Sequence, residues 1–272
     1  MHRSGRCLLE VWQIGISLRQ ALRNGKLCLG VSVMVPSPQI VEMIAALGFD
    51  WVLIDCEHGA IGPETLELMA MAARSAGIAA IARPAAGTPQ AVLQVMDRGV
   101  QGIQVPHVGS REEAARIVEA VKYHPQGTRS LAVGIRSADY GFGLAMDAYV
   151  RQANEESLVC VQVEDVDALA QIEAIASVPG IDVVFVGPSD LSQSLGYPGQ
   201  KSAEPVRRAM HDAFSWITGS GMVAGTAGGE EALRAYAVDG VRYFYTHLTT
   251  LLETGARAVT DLARESINRD GI

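Results

Sequence analysis

After residue 15 the chain repeats one pattern eight times: a short, nearly continuous apolar run, then a segment with helical spacing. The runs fall at 27–33, 51–54, 78–82, 102–105, 158–163, 182–186, 222–224 and 242–245, and the helix-period stretches at 38–47, 63–75, 89–97, 111–123, 166–177, 201–219, 230–239 and 248–269. Strands that are apolar on both faces and alternate with helices build a parallel sheet covered on both sides. Eight such units in 272 residues predict a single-domain (β/α)8 TIM barrel rather than a doubly wound sheet, and no GxGxxG follows any of the runs. Residues 1–15 read as an N-terminal extension and 16–272 as the barrel. The stretch 124–157 is the one long connection, and a long loop in a compact domain is often functional.

Local signals agree with this reading. Pro38, Pro63 and Pro89 sit near first turns, and Ser110 with Glu113 makes a capping box. Hydrophobic residues make up 49% of the chain but aromatics only 6%, which predicts a core of small aliphatic side chains. The net charge of −8 has no basic cluster to set against it, so nucleic acid is not an expected partner. The stretch 213–229 is uncharged but carries five glycines and is too short to cross a bilayer, so no membrane is expected. Glu10 breaks the apolar run near the N-terminus and no small-residue cleavage site follows, unlike a signal peptide. Cys7, Cys28, Cys56 and Cys160 lack CxxC spacing and read as free thiols, with a cytoplasmic location as the expectation.

In a barrel, chemistry sits at the carboxyl ends of the strands. Here five successive runs end in ionisable residues: Asp55-Cys56-Glu57-His58, then Arg83, then His107, then Gln162-Val163-Glu164-Asp165, then Gly187-Pro188-Ser189-Asp190. Each alone has an ordinary structural reading as a cap, an ion pair or a loop residue; together, on one face, they read as a site. Glu164 and Asp190, with no Cys or His pair at ligand spacing, suit a hard divalent ion such as Mg²⁺ or Mn²⁺ that keeps positions open for substrate oxygens. Arg83 offers a planar fork to a carboxylate or enolate oxygen. His58, oriented by Asp55, suits proton exchange near neutrality.

The only lysines are Lys26, Lys122 and Lys201, and none falls at a strand end. A Schiff-base aldolase needs one there, so carbonyl activation by metal is expected instead. The turn Gly225-Thr226-Ala227-Gly228-Gly229 reads equally well as an anion cradle and as a plain strand-to-helix turn.

Four segments carry a resemblance to a known family: Gly48-Phe49-Asp50-Trp51-Val52-Leu53-Ile54-Asp55-Cys56-Glu57-His58, Arg83-Pro84, Val161-Gln162-Val163-Glu164, and Phe185 through Ser192 with Gly196-Tyr197. The chain resembles the HpcH/HpaI aldolases, metal-dependent class II pyruvate aldolases. The resemblance implies a pyruvate-type barrel that cleaves a 4-hydroxy-2-oxo acid reversibly to pyruvate and an aldehyde, with Mg²⁺, or Mn²⁺ or Co²⁺, on Glu164 and Asp190. It further implies substrate contacts from Arg83, Gln162, Ser189 and His107, an Asp55–His58 acid–base dyad, and Glu57 orienting a metal-bound water. The implied assembly is a homohexamer, a trimer of dimers that exchange C-terminal helices, with Tyr123 to Arg129 as the loop offered to a neighbour's site. Ser130, the Thr246-His247-Leu248 end of the last strand and His107 depart from the family pattern on the acceptor side. They leave open an oxaloacetate decarboxylase resembling macrophomate synthase or an enzyme cleaving a CoA thioester as the citrate lyase relatives do, each on the same metal enolate; a barrel that binds an oxo acid without turnover is the third reading.

Overall fold

The computed structural model describes residues 17–270, with side chains through 266; the extension at 1–15, and Cys7 with it, lies outside the described residues. Eight strands, β1 (Cys28–Val33), β2 (Trp51–Asp55), β3 (Ala79–Arg83), β4 (Gly102–Val105), β5 (Leu158–Val163), β6 (Val183–Val186), β7 (Val223–Ala227) and β8 (Tyr243–His247), close in sequence order into a barrel, every pair parallel. The helices in chain order are α1 (Leu18–Arg23), α2 (Pro38–Ala46), α3 (Pro63–Ala76), α4 (Pro89–Met96), α5 (Arg111–Val121), α6 (Met146–Glu156), α7 (Val166–Ala170), α8 (Ile172–Ala176), α9 (Pro188–Ser194), α10 (Glu204–Gly219), α11 (Glu230–Val238) and α12 (Leu248–Asp270). The predicted architecture is therefore the observed one. Among the described residues no helix is long and apolar enough to cross a membrane.

Strand residues alternate between two apolar clusters, as a pleat requires. Val31, Val33, Val52, Ile54, Ala80 and Ala82 point outward into an aliphatic layer shared with the helices. Trp51, Leu53, Ile81, Cys160, Phe185, Tyr243 and Tyr245 fill the barrel interior. The expectation of a mainly aliphatic core holds, but four aromatics, Trp51, Phe185, Tyr243 and Tyr245, cluster inside the barrel, while Phe214 and Phe244 belong to the outer layer. Trp51 stacks on Tyr243 at 4.1 Å and Phe185 on Tyr245 at 5.3 Å between ring centroids. Gly30 makes room for this packing, because a Cβ there would overlap the Trp51 ring.

The capping expectations are met. Ser110 Oγ accepts from Glu113 N at 3.2 Å, and Asp165 Oδ1 caps α7 through Ala168 N at 2.7 Å. The stretch 166–177 breaks into two short helices rather than one, and α1 and α9 were not foreseen. The connection 124–157 is not a loop throughout: it holds a 3₁₀ segment, Arg136–Gly141, and α6. Among the residues of α6 only Asn154 is buried, and polar contacts hold the helix. Asn154 Oδ1 accepts from Tyr123 N at 2.7 Å, its Nδ2 donates to Tyr123 O at 2.9 Å, and Lys122 Nζ donates to Asn154 O and Ser157 O at 2.7 and 2.8 Å. The apolar side of this helix, Met146, Tyr149, Val150 and Ala153, is only half-buried, so the polar anchors fix its position.

Candidate active site

Asp55 and Arg83 end neighbouring strands and are register partners, so both side chains share the interior face. Arg83 Nε donates to Asp55 Oδ1 at 3.0 Å and Nη2 to Oδ2 at 2.5 Å, a two-pronged pair with Asp55 fully buried. Burial alone would raise the Asp55 carboxyl, but the bonds and charge of Arg83, with the N–H groups of His58 and Glu57, outweigh it and hold it below the ordinary value. The Arg83 Nη1 nitrogen has no hydrogen-bond partner among the described residues and remains available at the mouth.

The dyad expected of Asp55 and His58 is not formed. Asp55 Oδ1 accepts from the His58 backbone N at 3.2 Å, while the exposed His58 ring has Glu57 as its carboxylate neighbour, Nε2 to Oε2 at 3.7 Å. The three-residue spacing makes an Asx-type turn that spends Asp55 on backbone and on Arg83. Glu57 is the hub instead. Its Oε2 lies 3.2 Å from Arg83 Nε, and its Oε1 lies 3.1 Å from His107 Nε2.

His107 adopts the left-handed region at φ 57°, uncommon for a residue with a Cβ. That turn lets its backbone N donate to Glu164 Oε1 at 2.8 Å and places its ring Nδ1 3.0 Å from the same oxygen. The imidazole thus spans Glu57 and Glu164.

Glu164, just past β5, is 3% exposed. Burial raises its carboxyl; His107 and Gln162 oppose that shift, and the charge of Asp190 adds to it. Gln162 Nε2 donates to Glu164 Oε2 at 2.7 Å, Gln104 Nε2 donates to Gln162 Oε1 at 2.7 Å, and Tyr243 OH donates to Gln104 Oε1 at 3.0 Å. This buried chain fixes which end of the Gln162 amide faces the carboxylate. Gln104 was missed from sequence, although a glutamine inside an otherwise apolar run was a usable signal. Asp190 lies exposed in the first turn of α9, whose N-cap is Gly187, so it is not the capping residue. Ser189 is exposed beside it, with its carbonyl accepting from Ser192 Oγ at 2.7 Å. Residues 225–229 carry the end of β7 and the Gly229 cap of α11, and Thr226 Oγ1 donates to Val186 O at 2.9 Å.

Lys26 pairs with Asp50 and Lys122 is buried on carbonyls, both away from the strand ends. Lys201 ends no strand, as expected, but its charge reaches His247 at the end of β8. Arg129 of the Tyr123–Arg129 loop is buried in its own chain, donating to Asp97 at 2.8 Å and lying over the Tyr123 ring.

The donor set fits a hard cation. Among the described residues no three His, Cys, Asp or Glu side chains gather at ligand distance; the two carboxylates expected to hold an ion are Glu164, which is buried, and Asp190, which is exposed. That number suits an ion that retains waters and substrate oxygens. Glycine at 187 keeps the cradle open, since a Cβ there would lie 2.7 Å from Glu164 Oε2.

The model of the HpcH/HpaI aldolase/citrate lyase family matches residues 30–240. A hydroxypyruvate/pyruvate aldolase of Sagittula stellata is 36% identical over 242 residues, covering 88% of this chain and 94% of that protein. A 4-hydroxy-2-oxovalerate aldolase of Novosphingobium aromaticivorans is 37% identical over 229 residues, covering 82% and 84%. Among solved structures, macrophomate synthase superposes with a TM-score of 0.80 at 26% identity, covering 93% of this chain and 91% of that one. The family match runs from β1 through α11 and takes in the ends of β2 to β7, so the chain belongs to the HpcH/HpaI aldolase/citrate lyase family and is an enzyme of its carbon–carbon lyase type.

Proposed function

We propose that the chain cleaves a 4-hydroxy-2-oxo acid reversibly into pyruvate and an aldehyde at the mouth of the barrel. The observation that carries this reading is the pairing of a hard-cation donor set, Glu164 and Asp190, with the Arg83–Asp55 fork across the same opening. A divalent cation, Mg²⁺ or alternatively Mn²⁺ or Co²⁺, would be held by Glu164 and Asp190 and supplies positive charge to the carboxylate and 2-oxo oxygens of the substrate.

The remaining work falls to the chain. Asp55 locks the guanidinium plane of Arg83, so that Nη1 presents N–H donors to the oxygen on which enolate charge develops. Preorganised donors of this kind typically contribute 10²–10³ in turnover. His58 takes the proton from the 4-hydroxyl as the C3–C4 bond breaks and its electron pair passes into the enolate; a proton added at C3 completes pyruvate. Glu57, between Arg83 and the two histidines, orients both rings. Gln162 steadies Glu164, and Ser189 and His107 border the substrate.

Pyruvate release from a 4-hydroxy-2-oxo acid is expected to stop in excess EDTA and return with Mg²⁺; full activity in EDTA would overturn the reading. Arg83→Ala is expected to lose roughly 10²-fold or more in kcat, far more than His107→Ala. Decarboxylation of oxaloacetate is the second reading, favoured by the His107 ring between Glu57 and Glu164 and by the likeness to macrophomate synthase. Assaying oxaloacetate beside the hydroxy-oxo acid separates the two. We further propose a cytoplasmic homo-oligomer, a hexamer built as a trimer of dimers, because α12 leaves Leu252, Val259 and Leu262 exposed.

A further inference from the structure

A line of buried side chains crosses the barrel interior and ends at Glu164. Tyr243, the first residue of β8, is fully buried, as is Gln104 of β4, and Gln162 of β5 is 2% exposed. In a barrel closed in sequence order β8 and β4 face each other, so the Tyr243 hydroxyl spans the interior to reach Gln104, 139 positions away in the chain. From there the bonds climb towards the mouth. Gln104 Nε2 donates to Gln162 Oε1 and Gln162 Nε2 to Glu164 Oε2, each at 2.7 Å.

The line has one polarity. A carboxylate that holds a cation only accepts, so Gln162 must turn its NH₂ to Glu164 and its carbonyl away. That carbonyl needs a donor, which is the Gln104 NH₂, and the Gln104 carbonyl needs one in turn, which is the Tyr243 hydroxyl. A phenol has a single proton to give, and burial lifts the Tyr243 pKa well above its ordinary value, so the proton stays on the oxygen. The ring that carries it is clamped. It stacks on Trp51 at 4.1 Å between centroids, Trp51 Nε1 donates to Cys28 O at 3.3 Å, and Gly225 leaves room for it, since a Cβ there would stand 3.0 Å from Tyr243 Cδ1. Amides this deep in an apolar barrel are unfavourable unless paired. Here the pairing ends on a carboxylate whose other oxygen, Oε1, already accepts from His107 N at 2.8 Å. Both oxygens of Glu164 are thus held, and the plane of the carboxylate is fixed before an ion arrives.

We propose that Gln104 and Tyr243 are positioning residues for the divalent cation: by fixing the Gln162 amide they hold Glu164 in the orientation that receives it. This role rests on the reading of Glu164 and Asp190 as the ligands of the ion. Neither Gln104 nor Tyr243 touches ion or substrate; each acts through Gln162. Apolar side chains of the same size would fill the interior equally well. They would leave the Gln162 carbonyl buried without a donor, and the amide would relax away from Glu164 to find one.

The test is calorimetric titration of the full chain with Mg²⁺, without substrate, for the unsubstituted protein, Gln104→Met, Tyr243→Phe and the double variant, each beside a thermal melt. Met conserves the volume of Gln and Phe keeps the stack on Trp51, so packing is retained while the hydrogen bonds are removed. The Kd for Mg²⁺ is expected to rise roughly tenfold in Gln104→Met, as losses behind a metal ligand do, and about fivefold in Tyr243→Phe, the contribution of one hydrogen bond. Because both act through one line of bonds, the double variant is expected to bind no more weakly than Gln104→Met alone. Losses that multiply in the double variant would overturn the shared line. So would an unchanged Kd in a folded single variant, since a merely structural role lowers the melting temperature and leaves the Kd where it was. Should Gln104→Met fail to fold, Tyr243→Phe gives the same readout. No Mg²⁺ binding by the unsubstituted protein would sink the ion site and the positioning role with it, whereas binding that the variants leave unchanged sinks the positioning role alone.

Discussion

Arg83 is the residue on which the site turns, and its behaviour follows from the strand that carries it. Three of its contacts, to both Asp55 oxygens and to Glu57, consume Nε and Nη2 and leave one nitrogen to the substrate. Removing half of a buried ion pair leaves the other half uncompensated, so Asp55→Asn is expected to cost about 3 kcal/mol of stability at neutral pH. The Asp55 pKa is depressed on folding, so its stabilisation is complete above the ordinary value of 3.8 and is lost as pH falls through the lower folded value. The stability gap between the two proteins should therefore be constant from pH 7 to about 5 and close below pH 4 in denaturant titrations. The sequence marked Asp55, Glu57, His58 and Arg83 as a group because they end adjacent strands. It did not show that Asp55 would serve Arg83 rather than the His58 ring, because that depends on which side chains the β2–β3 register sets side by side.

At the scale of elements, periodicity located all eight strands and most of the helices because burial on both faces, or on one stripe, leaves a direct trace in residue order. It failed at α6, whose anchors are an asparagine and a lysine bonded to backbone. It failed again at α9, a short helix of a turn or two begun by Gly187-Pro188. The junction of β6 and α9 has a specific demand at Gly187, where φ is −80° and the constraint is space, not conformation. A Cβ there would meet Glu164 Oε2 at 2.7 Å and Glu164 Cβ at 2.9 Å. Gly187→Ala should therefore leave the fold intact within about 1–2 kcal/mol while weakening Mg²⁺ binding at least tenfold. Calorimetric titration with Mg²⁺, run beside thermal melts, checks both halves of that expectation.

Across the whole molecule, packing divides into a mainly aliphatic layer between sheet and helices and a barrel interior in which Trp51, Phe185, Tyr243 and Tyr245 stack among aliphatic residues. The 23-residue α12 meets the rest of the chain mainly through β8 and β1 and exposes Leu252, Val259 and Leu262 at 63%, 69% and 66%. These three fall on one side of the helix, the kind of uncovered apolar stripe that the proposed homo-oligomer would bury. Leu252→Glu with Val259→Glu is expected to reduce the assembly to smaller species in light scattering without melting the barrel. An unchanged mass would remove α12 from the interface.

The sequence by itself determined the barrel, its order and the ring of ionisable residues at one end. Those features are written in local periodicity and in the residues that close each apolar run. Tertiary structure alone decided how that ring is wired: Asp55 to Arg83, His107 to both Glu57 and Glu164, and Tyr243 through Gln104 and Gln162 to Glu164. It also set Ser32 beside His247, residues near opposite ends of the chain, with a polar atom of each left unpaired. The physical reason is the same in each case. A parallel barrel brings together residues tens to hundreds of positions apart, and side-chain hydrogen bonds of about 3 Å depend on strand register and local backbone turns that no window of sequence contains.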